Sequence, residues 1–139
     1  AGDPGVAEAK QAVPIPVIGG GASTAALSTF FGSYPAVLGI TEDVPESYHR
    51  ILGDRIVNNA KGDGVENILD LMTAKGYEAT MEKAAAQKAL GADVIALSCT
   101  GMSSIQIASS IEKAVGIPVL DPVMCEGLLT VFELLRKEI

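Results

Sequence analysis

The strongest constraint on the fold is an alternation. Short aliphatic runs, Ile15–Ile18, Ala36–Ile40, Arg55–Asn58, Val94–Ser98 and Pro118–Leu120, each stand between stretches with helical spacing. Those stretches are Val6–Val13, Ser23–Phe31, Pro45–Leu52, Val65–Lys75, Glu78–Leu90, Ser103–Val115 and Cys125–Lys137. Runs that are apolar throughout, rather than every second residue, describe strands buried on both faces, and only a parallel sheet with helical crossovers buries them so. The chain is therefore expected to be an α/β protein, a parallel sheet flanked by helices in three layers, αβα, with right-handed crossovers. Ile68, Leu71 and Met72 share one helical face by spacing, as do Ile107, Ile111 and Ala114. Gly91 and Gly116 stand where helix C-caps precede strands. Pro45 suits a first helical turn, and Gly62-Asp63-Gly64 is a turn signal.

Composition narrows the function. Hydrophobic residues make up 48% and charged residues 19% of the 139, which describes a globular chain with a real core. The net charge of −7, with 17 acids against 10 bases, leaves no basic footprint for nucleic acid or anionic lipid. No apolar run approaches the roughly 20 residues of a membrane span. The opening Ala1-Gly2-Asp3-Pro4-Gly5 has neither the basic nor the apolar region of a signal peptide, and two thiols in an acidic, core-rich chain lead us to expect a cytoplasmic protein. Its two cysteines, Cys99 and Cys125, lie in no Cys-x-x-Cys pair and read as reduced thiols. With His49 the single histidine, the chain lacks the ligand set of a structural zinc site.

One segment repeats. Residues 12–18 match residues 114–120, differing only where Pro14 stands against Gly116 and Ile18 against Leu120. The match suggests a duplication. In the second copy Cys99 precedes this segment, and its counterpart in the first copy falls at or just before Ala1. Since the sequence also does not open on Met, we expect a shortened chain that begins inside a strand–turn–helix unit, with Ala1–Pro4 as the turn.

In α/β sheets ligands lie beyond the carboxyl ends of the strands. This directs attention to Gly19–Ser23, Thr41, Cys99–Met102 and Asp121-Pro122. Cys99 closes the run Val94–Ser98, and Thr100-Gly101 opens the next helix. Free N–H groups at a helix start favour a thiolate and bind anions. Gly101 allows close approach of backbone to ligand, and Thr100, Ser103 and Ser104 offer hydroxyls. The same residue could equally be a small buried hydrophobe, as free cysteines often are. Cys125, among apolar neighbours, reads as a packed core thiol, and His49 as solvated. Gly19-Gly20-Gly21-Ala22-Ser23 looks like a phosphate cradle but lacks dinucleotide spacing and a P-loop Lys.

The blocks Gly91–Met102 and Gly116–Val123, with Asp3-Pro4-Gly5 and Ile15–Gly19, resemble the aspartate/glutamate/hydantoin racemase superfamily, nearest its hydantoin racemase branch. The resemblance covers nearly the whole chain. It implies two pseudo-symmetric lobes: residues 1–33 a remnant of the first, with the C-terminal helix packed on it, and 34–139 the second, carrying Cys99. It further implies a cofactor-independent racemase in which a thiolate takes the α-proton and a thiol on the opposite face returns one, with neither pyridoxal nor metal. Cys99 would be one acid/base; Thr100 and Gly101 would bind the anion, with Gly21, Ser23 and Thr41 as further substrate contacts. The other cysteine would immediately precede Ala1. The substrate would be a small carboxylate or hydantoin and the assembly a homo-oligomer. Two other readings stay open: a one-cysteine enzyme of the arylmalonate decarboxylase or maleate isomerase type, and a non-catalytic ligand-binding relative.

Overall fold

A computed structural model describes residues 1–138. Its elements run α1 (Val6–Ala12), α2 (Gly20–Ser28), β1 (Pro35–Gly39), α3 (Glu46–Leu52), β2 (Asn59–Lys61), α4 (Ile68–Leu71), α5 (Ala74–Ala89), β3 (Val94–Leu97), α6 (Thr100–Ser104), α7 (Ile107–Val115), β4 (Val119–Leu120) and α8 (Pro122–Glu138). The four strands form one parallel sheet in the order β2-β1-β3-β4.

The strands alternate between two cores, as the pleat requires. Ala36 and Leu38 of β1 and Ile95 and Leu97 of β3 point to one face, where they meet Val65, Leu71, Ala84, Met102, Ile107, Ile111 and Val115. Val37 and Ala96 point to the other, against Ala25, Tyr48 and Leu52. Helices α4 to α7 thus cover one face and α2 and α3 the other, giving the three layers expected. The β1–β3 register, Pro35 opposite Val94 through Leu38 opposite Leu97, is anchored at its entrance. There the Asp93 carboxylate accepts the N–H groups of Ser33 and Tyr34, at 2.9 and 2.7 Å.

The repeat extends into the structure. Each copy of the matched segment follows a helix, α1 or α7, and leads into another, α2 or α8, starting at the equivalent residues Gly20 and Pro122. Helices α2 and α8 pack on each other. Both α1 and α7 are entered through a left-handed residue, Gly5 (φ 78°) and Gln106 (φ 53°).

Several sequence-based expectations need correction. Ile15–Ile18 is not a strand; among the described residues no strand lies beside it, whereas its counterpart Val119–Leu120 pairs with β3. An extended segment without a ladder partner stays irregular. The strand placed at Arg55–Asn58 is displaced to Asn59–Lys61, because a single 3₁₀ turn, Gly53–Arg55, comes first and Arg55 donates from its guanidinium to the Ile51 and Leu52 carbonyls. Helix Ser103–Val115 is broken into α6 and α7 at Gln106. Val65–Lys75 holds only the short α4, and α5 starts early, at Ala74, because Thr73 caps it through the Gly76 N–H. In α4 only Leu71 is buried, Ile68 and Met72 being exposed, and in α7 Val115 rather than Ala114 completes the buried face. Pro45 sits at the N-cap of α3 rather than inside it.

Candidate functional site

The order β2-β1-β3-β4 creates a crevice. From β1 the chain crosses to β2 on one side, and from β3 to β4 on the other, so the connections leave the carboxyl ends of these adjacent strands in opposite directions. Ligands in doubly wound sheets occupy this switch point. A cleft of about 520 Å³ opens there. One wall is the loop after β1, Ile40 to Pro45; another is the end of β3, Ser98, Cys99 and Thr100; Ala1 and Gly2 form a third.

Cys99 is the N-cap residue of α6, in extended conformation, and is 6% exposed. Its side chain makes no capping hydrogen bond. Its carbonyl accepts the Met102 N–H at 3.0 Å, which turns the chain from β3 into α6. A Cβ on Gly101 would stand 3.4 Å from the Cys99 sulfur and 3.0 Å from Ile68. A methyl group there would just touch the sulfur, and its tighter contact would be with Ile68. Thr100 is exposed at the mouth. The Ser103 hydroxyl is engaged, donating to Asp121 Oδ1 at 2.8 Å.

Thr41 lies in the wall facing Cys99, and its hydroxyl donates to the Asp43 carbonyl at 2.9 Å. The Asn59 amide donates to the Thr41 and Glu42 carbonyls at 3.2 and 2.9 Å, so β2 holds this loop in place. Cys99, Thr100 and Thr41 thus share one cleft, with Gly101 directly behind it. Gly21 and Ser23 do not line it. Gly21 lies beneath Ala1, where a Cβ would collide with the Ala1 carbonyl oxygen, and buried Ser23 donates to the Gly19 carbonyl at 2.7 Å.

Sequence reasoning missed Asp3 and Ser47. The Asp3 carboxylate accepts the Gly21 and Ala22 N–H groups, each at 2.7 Å, and the Ser47 hydroxyl donates to the Ala1 carbonyl at 3.3 Å. Both partners are distant in sequence, so no local pattern announces them. Cys125 lies in α8 on a different, apolar groove with Phe31, Val123, Met124 and Leu128. Burial pushes its thiol pKa up, the Asp121 carboxylate adding to this and the Thr24 hydroxyl opposing it. His49 is exposed on α3, away from the cleft. Among the described residues no three His, Cys, Asp or Glu side chains gather as metal ligands, and no helix is long and apolar enough to cross a membrane.

The profile of one family, described as Asp/Glu/Hydantoin racemase, matches residues 1–126. No curated protein is similar enough to count as a relative. Among solved structures, an allantoin racemase from Pseudomonas fluorescens superposes with a TM-score of 0.72 at 22% identity, over 91% of this chain and 55% of its own. An allantoin racemase from Klebsiella pneumoniae gives 0.72 at 23% identity, over 94% of this chain and 57% of its own. The chain thus spans a little over half the length of these structural neighbours.

Proposed function

The chain belongs to the Asp/Glu/Hydantoin racemase family, and we propose that it carries one acid/base of a cofactor-independent racemase, the Cys99 thiol, for a hydantoin-like or amino-acid substrate. The observation that carries the proposal is the place of Cys99: at the carboxyl end of a central strand, inside the switch-point cleft, with its side chain free of helix capping. Allantoin, for which the two structural neighbours are named, is the substrate to test first. In this reading residues 1–33 belong to one lobe and 34–139 to the other.

Inversion by proton transfer needs a base on one face of the α-carbon and an acid on the other. As a thiolate, Cys99 takes the α-proton, breaking the C–H bond and leaving its electron pair delocalised into the adjacent carbonyl as an enolate. The backbone N–H groups of Thr100 and Gly101 and the Thr100 hydroxyl are donors for that charge. A second acid on the opposite face returns a proton to carbon. The wall of Ala1 and Gly2 bounds the same cleft and is the side from which such an acid would act. The substrate is small, neither nucleic acid nor membrane takes part, and the working unit is a cytosolic homo-oligomer.

Polarimetry on a single enantiomer of allantoin or a 5-substituted hydantoin tests the reading. Optical rotation should decay with the full-length parent protein, which supplies the second acid, and persist with its Cys99→Ala variant. Decay that continues in the variant would remove Cys99 from the mechanism. Release of CO₂ from an arylmalonate without racemisation would favour the decarboxylase chemistry of the same superfamily.

A further inference from the structure

We propose that Asp3 is a positioning residue for the Cys99 cleft: its carboxylate locks the Ala1–Gly5 turn onto the start of α2 and so holds the wall that covers the thiol. The inference takes from the functional reading only the importance of Cys99; the geometry of the lock stands apart from it.

Equivalent helices of the repeat are capped in two ways. At the start of α8, the N–H groups of Val123 and Met124 are held by the helix's own cap residue, Asp121, at 2.9 and 3.0 Å. At the start of α2 the equivalent N–H groups, of Gly21 and Ala22, are held by Asp3 from eighteen and nineteen residues away. The position that Asp121 fills in one copy is filled by Gly19 in the other. That glycine has an ordinary backbone, with φ −95°. What it provides is room: a Cβ at Gly19 would stand 2.5 Å from Asp3 Oδ2 and 2.6 Å from its carboxyl carbon. A helix start that needed only a cap would be served by a local aspartate. The distant carboxylate also ties down a turn.

That turn is the third wall of the cleft. Ala1 donates from its nitrogen to the Ser98 carbonyl, next to Cys99, and accepts from Ser47. Gly21, bare of a side chain, lets the Ala1 carbonyl lie against α2. Asp3 itself is held at φ 56°, in the left-handed region that non-glycine residues adopt only at isolated positions. The result is a thiol only 6% exposed at the bottom of a cleft that Ala1 and Gly2 help to close.

Alkylation by iodoacetamide, followed by mass spectrometry on the Cys99 and Cys125 peptides separately, tests the lock. The variants are Asp3→Ala, Asp3→Asn, and the exchange Asp3→Gly with Gly19→Asp, which moves the carboxylate to the local position used by α8. Asp3→Ala should speed alkylation of Cys99 about tenfold, because reactivity follows exposure, and leave Cys125 unchanged. Asp3→Asn, which keeps one acceptor, should fall between. The exchange should restore the melting temperature while Cys99 stays fast. An unchanged Cys99 rate, equal acceleration of both cysteines, or an exchange that restores the Cys99 rate together with stability would overturn the proposal and reduce Asp3 to a cap. A protein that racemises nothing would overturn the functional reading and leave this result standing.

Discussion

The Tyr48 hydroxyl donates to the Leu97 carbonyl at 2.6 Å, tying the fully buried ring of α3 to the last residue of β3, just ahead of Cys99. The bond fixes where the central strand ends, and hence where the thiol is presented. Tyr48→Phe removes the donor and keeps the ring. Because a buried carbonyl loses its partner, urea unfolding should show a loss of about 1–3 kcal/mol. A variant as stable as wild type would mean that this carbonyl finds another donor.

Alkaline pH should weaken the fold through the same layer. Burial raises the pKa of Tyr48 well above its ordinary value and that of the Cys125 thiol above its own. For groups whose folded pKa is raised, the contribution is fully present below the unfolded pKa and is lost as pH climbs toward the folded value. Unfolded thiols titrate at about 8.5 and phenols at about 10. Stability measured against pH should therefore begin to fall above about pH 8.5 as Cys125 responds, and fall more steeply above about pH 10. Tyr48→Phe should abolish the second component. A flat profile to about pH 11 would contradict the burial of both groups.

Gln106 divides α6 from α7 with φ at 53°. Gln106→Gly relieves a left-handed side-chain conformation, partly offset by the greater freedom of glycine when unfolded, and should stabilise by about 0.5–1 kcal/mol. Gln106→Val should destabilise by a similar amount or more, since β-branched residues tolerate this region least. Thermal melts of the pair give the test, through the sign of the difference.

Two glycines should respond very unequally to one methyl group. Gly19→Ala drives a Cβ into the Asp3 carboxylate and breaks two charge-assisted hydrogen bonds, for about 2–3 kcal/mol. Gly101→Ala meets Ile68 at 3.0 Å, but that side chain is 43% exposed and can move, so the cost should stay within about 1 kcal/mol. Chemical denaturation of both variants checks the contrast. Equal costs would mean that the Asp3 carboxylate moves aside as readily as Ile68.

Much of this arrangement was legible in the sequence, for physical reasons. Ala36–Ile40 and Val94–Ser98 announce buried strands because both faces of each need apolar cover, and each is found in the sheet within a residue or so of its expected bounds. Gly116 announces a helix end because φ 72° there suits glycine. Cys99 stood out because a strand end followed by Thr-Gly is where a parallel sheet meets its ligands. What stayed hidden depends on partners. Ile15–Ile18 has the composition of a strand, but composition does not reveal that among the described residues no strand lies beside it. Asp3 belongs to an evident turn, yet its bond to α2 becomes visible only when the chain folds back. The break at Gln106 interrupts a run whose apolar spacing continues across it. Gly21 and Ser23 drew notice as a glycine-rich loop at a strand end; they are instead the first turns of α2, behind the cleft wall.

The central claim is that the Cys99 thiol moves the α-proton. The most direct test incubates one enantiomer of allantoin or a 5-substituted hydantoin in D₂O with the wild-type protein, Cys99→Ser and Cys125→Ser, and follows loss of the α-proton signal by NMR. The account predicts exchange with wild type and with Cys125→Ser, and a loss of about 10³-fold or more with Cys99→Ser. Exchange that survives in Cys99→Ser, or that disappears in Cys125→Ser alone, would contradict it.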